Sequence, residues 1–154
     1  FVDCPELVRV DVDKDNEYYY SNGQVLVDKR TKTIIDGWGT EICNAADFPK
    51  ELLPTRIGDN AFRKHSLLRY VILPATIESV GDGAFSGCKS LRQLNCHAVV
   101  PPVLGKDVFK HDEVNGIVIT PLQEMLNVYV PDEAYEAYRN ASGWKDFKDI
   151  VTLR

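Results

Sequence analysis

Apolar side chains at Ile57, Ala61, Phe62, Leu68 and Val71 return at Val80, Ala84, Phe85, Leu91 and Leu94, each 23 positions later. The polar residues keep the same register, so that Gly58-Asp59 becomes Gly81-Asp82. A fixed period in the twenties marks stacked repeats in which each repeat makes one turn of chain. One turn cannot bury its own apolar residues, so its neighbours must complete the core. Within a repeat, Val71 and Leu73 alternate with Tyr70 and Ile72, which predicts a strand over 68–73. Pro74 ends it, since proline cannot donate to a sheet ladder. Ile77 and Val80 then point inward, Gly81-Asp82 makes a corner, and Gly83-Ala84-Phe85 opens a short helical turn. Strands of successive turns should form a parallel sheet spaced by about 4.8 Å. Phe62, Phe85 and Phe109 are expected to stack on one side of the core, with Leu73, Cys96 and Val130 opposite.

The register weakens in both directions. Downstream, Leu104-Gly-Lys-Asp-Val-Phe109 repeats Val80 to Phe85 at a spacing of 24, and an insertion over 110–125 delays the next strand to Leu126-Asn-Val-Tyr-Val-Pro131. Asn115-Gly116 inside that insertion suggests a hairpin, and at least two of Ile117, Val118 and Ile119 should pack against the repeats or the C-terminal cap. Upstream, Phe48-Pro49 matches Leu73-Pro74, and Leu7, Val10 and Val12 have the spacing of Leu68, Val71 and Leu73. Four or five turns are readable, above the minimum of about three for a stacked core. Two segments depart from the pattern. Gln24-Val-Leu-Val27 and Thr33-Ile-Ile35 flank a charged stretch and predict an inserted β-hairpin, preceded by a turn at Asn22-Gly23. Near the end, Ala134, Tyr135, Ala137 and Tyr138 predict a helix with Asp132 as its N-cap. Gly143-Trp144 and Phe147 follow, and together they would close the open end of the stack.

The 154 residues suit one domain, expected over 1–154: an N-terminal repeat with its hairpin over 1–47, central repeats over 48–130, and a cap over 131–154. Hydrophobic content of 44% and charged content of 27% are ordinary for a globular chain. The net charge of −5 comes without any basic cluster, which argues against nucleic acid as a partner. No apolar run approaches the roughly 20 residues that span a bilayer. The chain begins at Phe1 with neither Met nor a signal pattern, as a trimmed or mature segment would. Cys4, Cys43, Cys88 and Cys96 lack metal-ligand spacing; Cys88 and Cys96 fall at core positions, and a disulfide stays open for Cys4 or Cys43.

The string Gly81-Asp-Gly-Ala-Phe85-Ser-Gly-Cys88-Lys-Ser-Leu91, with Ile57-Gly-Asp-Asn-Ala-Phe62 and Val71-Ile-Leu-Pro74, resembles the BspA-type leucine-rich repeat. Cys96-His-Ala-Val-Val-Pro101-Pro102 and Gly143-Trp144 resemble that family's last repeats and cap, and 15–34 resembles its N-terminal hairpin. His65 departs from the pattern where the family has cysteine. The resemblance implies an α/β-type repeat solenoid, a right-handed superhelix with a short parallel β-sheet, an inserted β-hairpin and a C-terminal helical cap. It also implies a surface or secreted protein of anaerobic gut or oral bacteria, in a family with members linked to adhesion to host matrix proteins.

No nucleophile elbow, glycine-rich phosphate loop or His-Glu metal motif appears, so the expectation is a non-enzyme without cofactor or metal. Asp11, Asp13 and Asp15 alternate like half of a calcium loop, but Asn16 and Asn22 stand where it needs Gly and Glu, which favours a solvated acidic turn. His65, Cys88 and His111 hold nearby repeat positions without a zinc pattern, which favours corner histidines. Asn140-Ala-Ser142 fits a glycosylation sequon that carries no weight in a bacterial chain. The working surface is expected on the outward face of the sheet: Arg9 and Asp11, Asp47, Tyr70 and Ile72, Gln93 and Asn95, then Asn127 and Tyr129. Tyrosines among short polar groups give large contact area at low entropy cost. A partner is expected to be a protein, such as a host matrix or cell-surface protein, or a glycan, and the alternative is a structural spacer that displays another domain.

Overall fold

The computed structural model describes residues 4, 7–39, 45–111 and 122–153, and the backbone of 41–42. The chain winds through three walls around one core. The first wall is a five-stranded parallel sheet: β4 (Glu41–Ile42), β6 (Tyr70–Leu73), β8 (Gln93–Cys96), β10 (Asn127–Val130) and β11 (Asp149–Thr152). The second sheet has six strands, running β1 (Tyr19–Ser21), β2 (Val25–Asp28), β3 (Thr33–Gly37), β5 (Arg56–Ile57), β7 (Ser79–Val80) and β9 (Val103–Leu104). Here β2 and β3 form the expected antiparallel hairpin, and β1, joined through Asn22-Gly23, pairs antiparallel with β2. From β3 onward the pairing is parallel, and Ile34, Ile57, Val80 and Leu104 form one row. The hairpin therefore does not project; it continues the second sheet.

The third wall consists of the helical turns over 58–65, 81–88 and 105–110. They are stitched by backbone bonds between turns: Asn60, Phe62 and Lys64 donate to Asp82, Ala84 and Ser86 at 2.8, 2.8 and 2.7 Å. Gly83, Phe85 and Gly87 donate in the same way to Lys106, Val108 and Lys110 at 2.8, 2.9 and 2.9 Å. This ladder gives the Gly-Asp motif its physical reason. A Cβ on Gly81 would lie 2.6 Å from the backbone nitrogen of Asp59, and one on Gly105 would lie 2.7 Å from that of Asp82. The carboxylates use the same closeness: Asp59 accepts from the Asp82 N–H at 2.8 Å, and Asp82 accepts from the Lys106 N–H at 2.7 Å. The row ends at Lys106, which has no carboxylate to pass on.

The core follows the repeat. Phe62 and Phe85 stack with ring centres 5.2 Å apart, Phe85 and Phe109 at 5.6 Å, both at 7° between planes. Leu73, Cys96 and Val130 lie fully buried in register along the parallel sheet. The Cys88 thiol donates to the Phe62 carbonyl at 2.9 Å, and Cys4, Cys88 and Cys96 are free. Tyr135–Asn140 forms the expected C-terminal helix, and the Tyr138 hydroxyl donates to the Ala98 carbonyl at 2.9 Å. Trp144 donates from Nε1 to the Pro102 carbonyl at 2.8 Å.

Three expectations need correction. Leu7, Val10 and Val12 are only half-buried and form no strand; Ser21 Oγ holds this segment through the Val10 carbonyl at 2.6 Å. Phe48 is buried but follows a 3₁₀ turn, Ala45–Asp47, so the first strand of the parallel sheet is Glu41–Ile42. Asp132 makes no capping bond, because Pro131 occupies the cap of a 3₁₀ turn over Asp132–Ala134. In the insertion, Leu122–Met125 is helical, whereas Asn115, Gly116, Ile117, Val118 and Ile119, like Cys43, lie outside the described residues.

Candidate functional site

Strand alternation sends every second residue of the parallel sheet outward. The register aligns Tyr70, Gln93, Asn127 and Asp149 in one row across four strands. Ile72, Asn95, Tyr129 and Val151 form the row beside it. The flanking positions, Val71, Leu94 and Val128, are wholly buried, so the core holds this face rigid from behind. Six of the nine residues expected on the outward face therefore share one surface: Tyr70, Ile72, Gln93, Asn95, Asn127 and Tyr129.

Their polar groups are organised. Gln93 Nε2 donates to Asn95 Oδ1 at 3.1 Å, and Asn95 Nδ2 donates to the Tyr70 hydroxyl at 2.7 Å. The Tyr70 oxygen thus closes this chain as an acceptor. Tyr70, Ile72, Gln93, Asn95 and Tyr129 are half-buried, while Asn127 is exposed. Asp149 and Val151, the latter 44% exposed, extend the face by one strand. Sequence reading passed over them, although the alternation of Asp149, Ile150, Val151 and Thr152 carried the signal.

Arg9 and Asp47 lie elsewhere, against expectation. Both line a separate cleft with Tyr20, Asn22 and Gln24. The Arg9 guanidinium packs over Gly23, where an added Cβ would meet Cζ at 3.3 Å. It pairs with Asp11 at 2.7 Å in full exposure, and that neighbour holds the Asp11 carboxyl below its ordinary range. Tyr20 donates its hydroxyl to the Asp47 carbonyl at 3.3 Å; burial first, and the Asp47 charge second, push that phenol upward. The physical reason for the displacement is the 3₁₀ turn at Ala45–Asp47, which removes Asp47 from the strand register.

The acidic turn has local uses for its groups. Asp13 Oδ1 accepts the Asp15 N–H at 2.8 Å, and Asp11 is engaged by Arg9. Among the described residues no group of three or more His, Cys, Asp or Glu side chains could hold a metal ion. His65 is half-buried, and burial lowers its pKa against the opposing charge of Asp36. Burial pushes the Cys88 thiol up to about 12 and raises Cys96 as well, so neither supplies a thiolate near neutral pH. No helix among the described residues is long and apolar enough to cross a membrane.

Against known families, the pattern of the BspA type leucine rich repeat region matches residues 44–129 in six copies. No curated protein matches the chain. Among solved structures, the crystal structure of the pneumococcal vaccine antigen PcpA aligns with 96% of this chain and 50% of its own, at 18% identity and a TM-score of 0.41. The chain thus spans half the length of that protein.

Proposed function

The chain belongs to the BspA-type leucine-rich repeat family, and on that premise we propose that it is a non-catalytic binding module of a bacterial surface or secreted protein. It recognises a protein through the outer face of the parallel sheet. The observation that carries this reading is the hydrogen-bonded chain from Gln93 through Asn95 to Tyr70, with Tyr129 in the adjoining row. Aromatic and amide groups fixed before binding lose little conformational entropy when a partner arrives. The reading includes a right-handed coil, one domain over 1–154, and closure of its end by Tyr135–Asn140 with Trp144 and Phe147.

The test is a binding series against host matrix and cell-surface proteins, with a glycan panel beside it. Tyr70→Ala with Tyr129→Ala should weaken the best partner by at least about tenfold, the loss of roughly 1.4 kcal/mol or more expected at an aromatic hot spot. A structural spacer has nothing to lose at these positions, and unchanged binding by the double variant would sink the proposal. Turnover in a substrate screen that one carboxylate or histidine substitution abolishes would instead make the chain an enzyme.

A further inference from the structure

The third wall carries a cleft of about 540 Å³ that the binding-face reading does not use. The repeat explains how it arises. Asn60, Gly83 and Asp107 hold the same place in three successive turns, and all three have left-handed backbone, with φ of 58, 62 and 53°. Arg63, Ser86 and Lys110 hold a second equivalent place, since the ladder sets 64 against 86 and 87 against 110. The backbone is thus the same in each turn and only the side chains differ. In the middle turn they are glycine and a serine only 6% exposed, so that turn forms a sunken floor.

The rims of this notch are cationic. Arg63 stands on one side, and Lys106 and Lys110 stand on the other. At one sheet spacing per turn, the Arg63 and Lys110 backbones are about 10 Å apart. Asn60 accepts from Arg63 Nη1 at 3.4 Å, and it leans over Gly83, where a Cβ would meet its Oδ1 at 2.8 Å. That contact steers the guanidinium toward the floor. Two carboxylates also line the cleft, Asp107 and Asp82, the latter accepting from the Lys106 N–H at 2.7 Å, so three cations stand against two anions there among the described residues. On a chain of net charge −5, three cations around a polar floor make a local attractor for anions.

We propose that this notch binds a sulfated glycan, one sulfate at each cationic rim and the sugar chain running along the coil axis over Ser86. The separation of the rims favours an extended polyanion over a single inorganic ion, which could satisfy one rim only. The site is independent of the sheet face.

The probe is a heparin-derived hexasaccharide, measured by titration calorimetry against the same oligosaccharide after chemical desulfation. The wild-type chain should bind the sulfated form and not the desulfated one. Arg63→Ala with Lys110→Ala, both at exposed positions, should weaken binding at least about tenfold. Lys145→Ala with Lys148→Ala removes the same charge elsewhere and should leave affinity within about twofold. Asp107→Asn keeps a residue that tolerates left-handed backbone and removes a carboxylate, so it should tighten binding. Failure of the wild type to bind, an equal loss in the 145/148 control, or no tightening with Asp107→Asn would each overturn the proposal.

Discussion

The middle of the coil and its two ends solve the same packing problem differently. Between equivalent turns the large rings lie parallel: Phe62, Phe85 and Phe109 follow one another at 7° between planes. Identical backbone brings identical side chains into the same rotamer, so stacking is the geometry that repetition allows. Past Phe109 the parallel stacking gives way and the geometry turns. Phe147 meets Phe109 at 80°, and Trp144 meets it at 62°. Edge-on contact places the positive ring edge against a negative ring face and ends the stack instead of offering it another flat surface. At the other end Phe62 fits against Gly37 of the hairpin beside Val25, and Phe62 Cε1 fills the space a Gly37 side chain would need. Repetition builds the middle, and each end relies on a specific fit.

The largest test of this contrast is Phe85→Ala. The ring is fully buried between two stacked neighbours, so neither can collapse into the void, and a loss of about 3–5 kcal/mol is expected. Urea unfolding followed by far-UV circular dichroism measures it. A midpoint close to the parent's would mean that the stack contributes little and the register is wrong.

The N-terminal end is probed by Gly37→Ala. The new methyl collides with the Phe62 ring and approaches Val25 Cγ1 at 3.1 Å, and overpacking of this kind costs about 1–3 kcal/mol. Pairing it with Phe62→Leu should recover part of the loss, because the smaller side chain vacates the space. A strictly additive pair, in which each loss simply sums, would show that the two residues do not compete.

The two buried thiols report on the two regions separately. Cys88 lies in the repeated wall and is raised by burial from 9.0 to about 12; Cys96, beside Tyr138 of the terminal helix, is also raised by burial. A folded pKa above the unfolded one gives stability that is complete below about pH 9 and is lost as pH rises toward 12. Each thiol should therefore contribute a fall of up to about 1.4 kcal/mol per pH unit above pH 9. Denaturation midpoints from pH 8 to 10.5 should drop steeply in the parent and less steeply in Cys88→Ala and in Cys96→Ala. Parallel curves for parent and variants would remove the thiols as the source, leaving tyrosine ionisation as the origin of the slope.

Much of the middle was legible because position alone carries it there. Apolar residues 23 or 24 apart identified the strands, the stacked rings and six residues of the outer sheet face. What failed lies where the backbone leaves the repeat. Leu7, Val10 and Val12 have strand spacing, but spacing does not provide a hydrogen-bonding neighbour, and no ladder forms there. Phe48 fills a core position just after a 3₁₀ turn, so its burial imitated a strand residue and carried Asp47 to the wrong surface. The role of Gly81 was read as a corner; it is set by Asp59 one turn below, a contact that no local pattern contains.

The smallest expected effect tests whether the repeats are as equivalent as they look. Lys64 and Gly87 hold the same place at the end of successive helical turns, with φ of 60 and 74°, and both donate across the ladder. Glycine adopts that conformation freely, whereas a lysine there carries strain on the order of 1 kcal/mol. Lys64 is exposed, so Lys64→Gly gives up little packing. Against the relief stands the greater unfolded-state freedom of glycine, about 0.4–1 kcal/mol. The two terms are close, and strain wins by a few tenths, because the ladder holds the left-handed backbone in place: the Lys64 N–H donates to the Ser86 carbonyl at 2.7 Å. Lys64→Gly should therefore raise the urea midpoint slightly, and Gly87→Ala should lower it by more than that gain. A lowered midpoint for Lys64→Gly would mean that the lysine stem stabilises this corner, and that the two turns differ in energy where they agree in backbone.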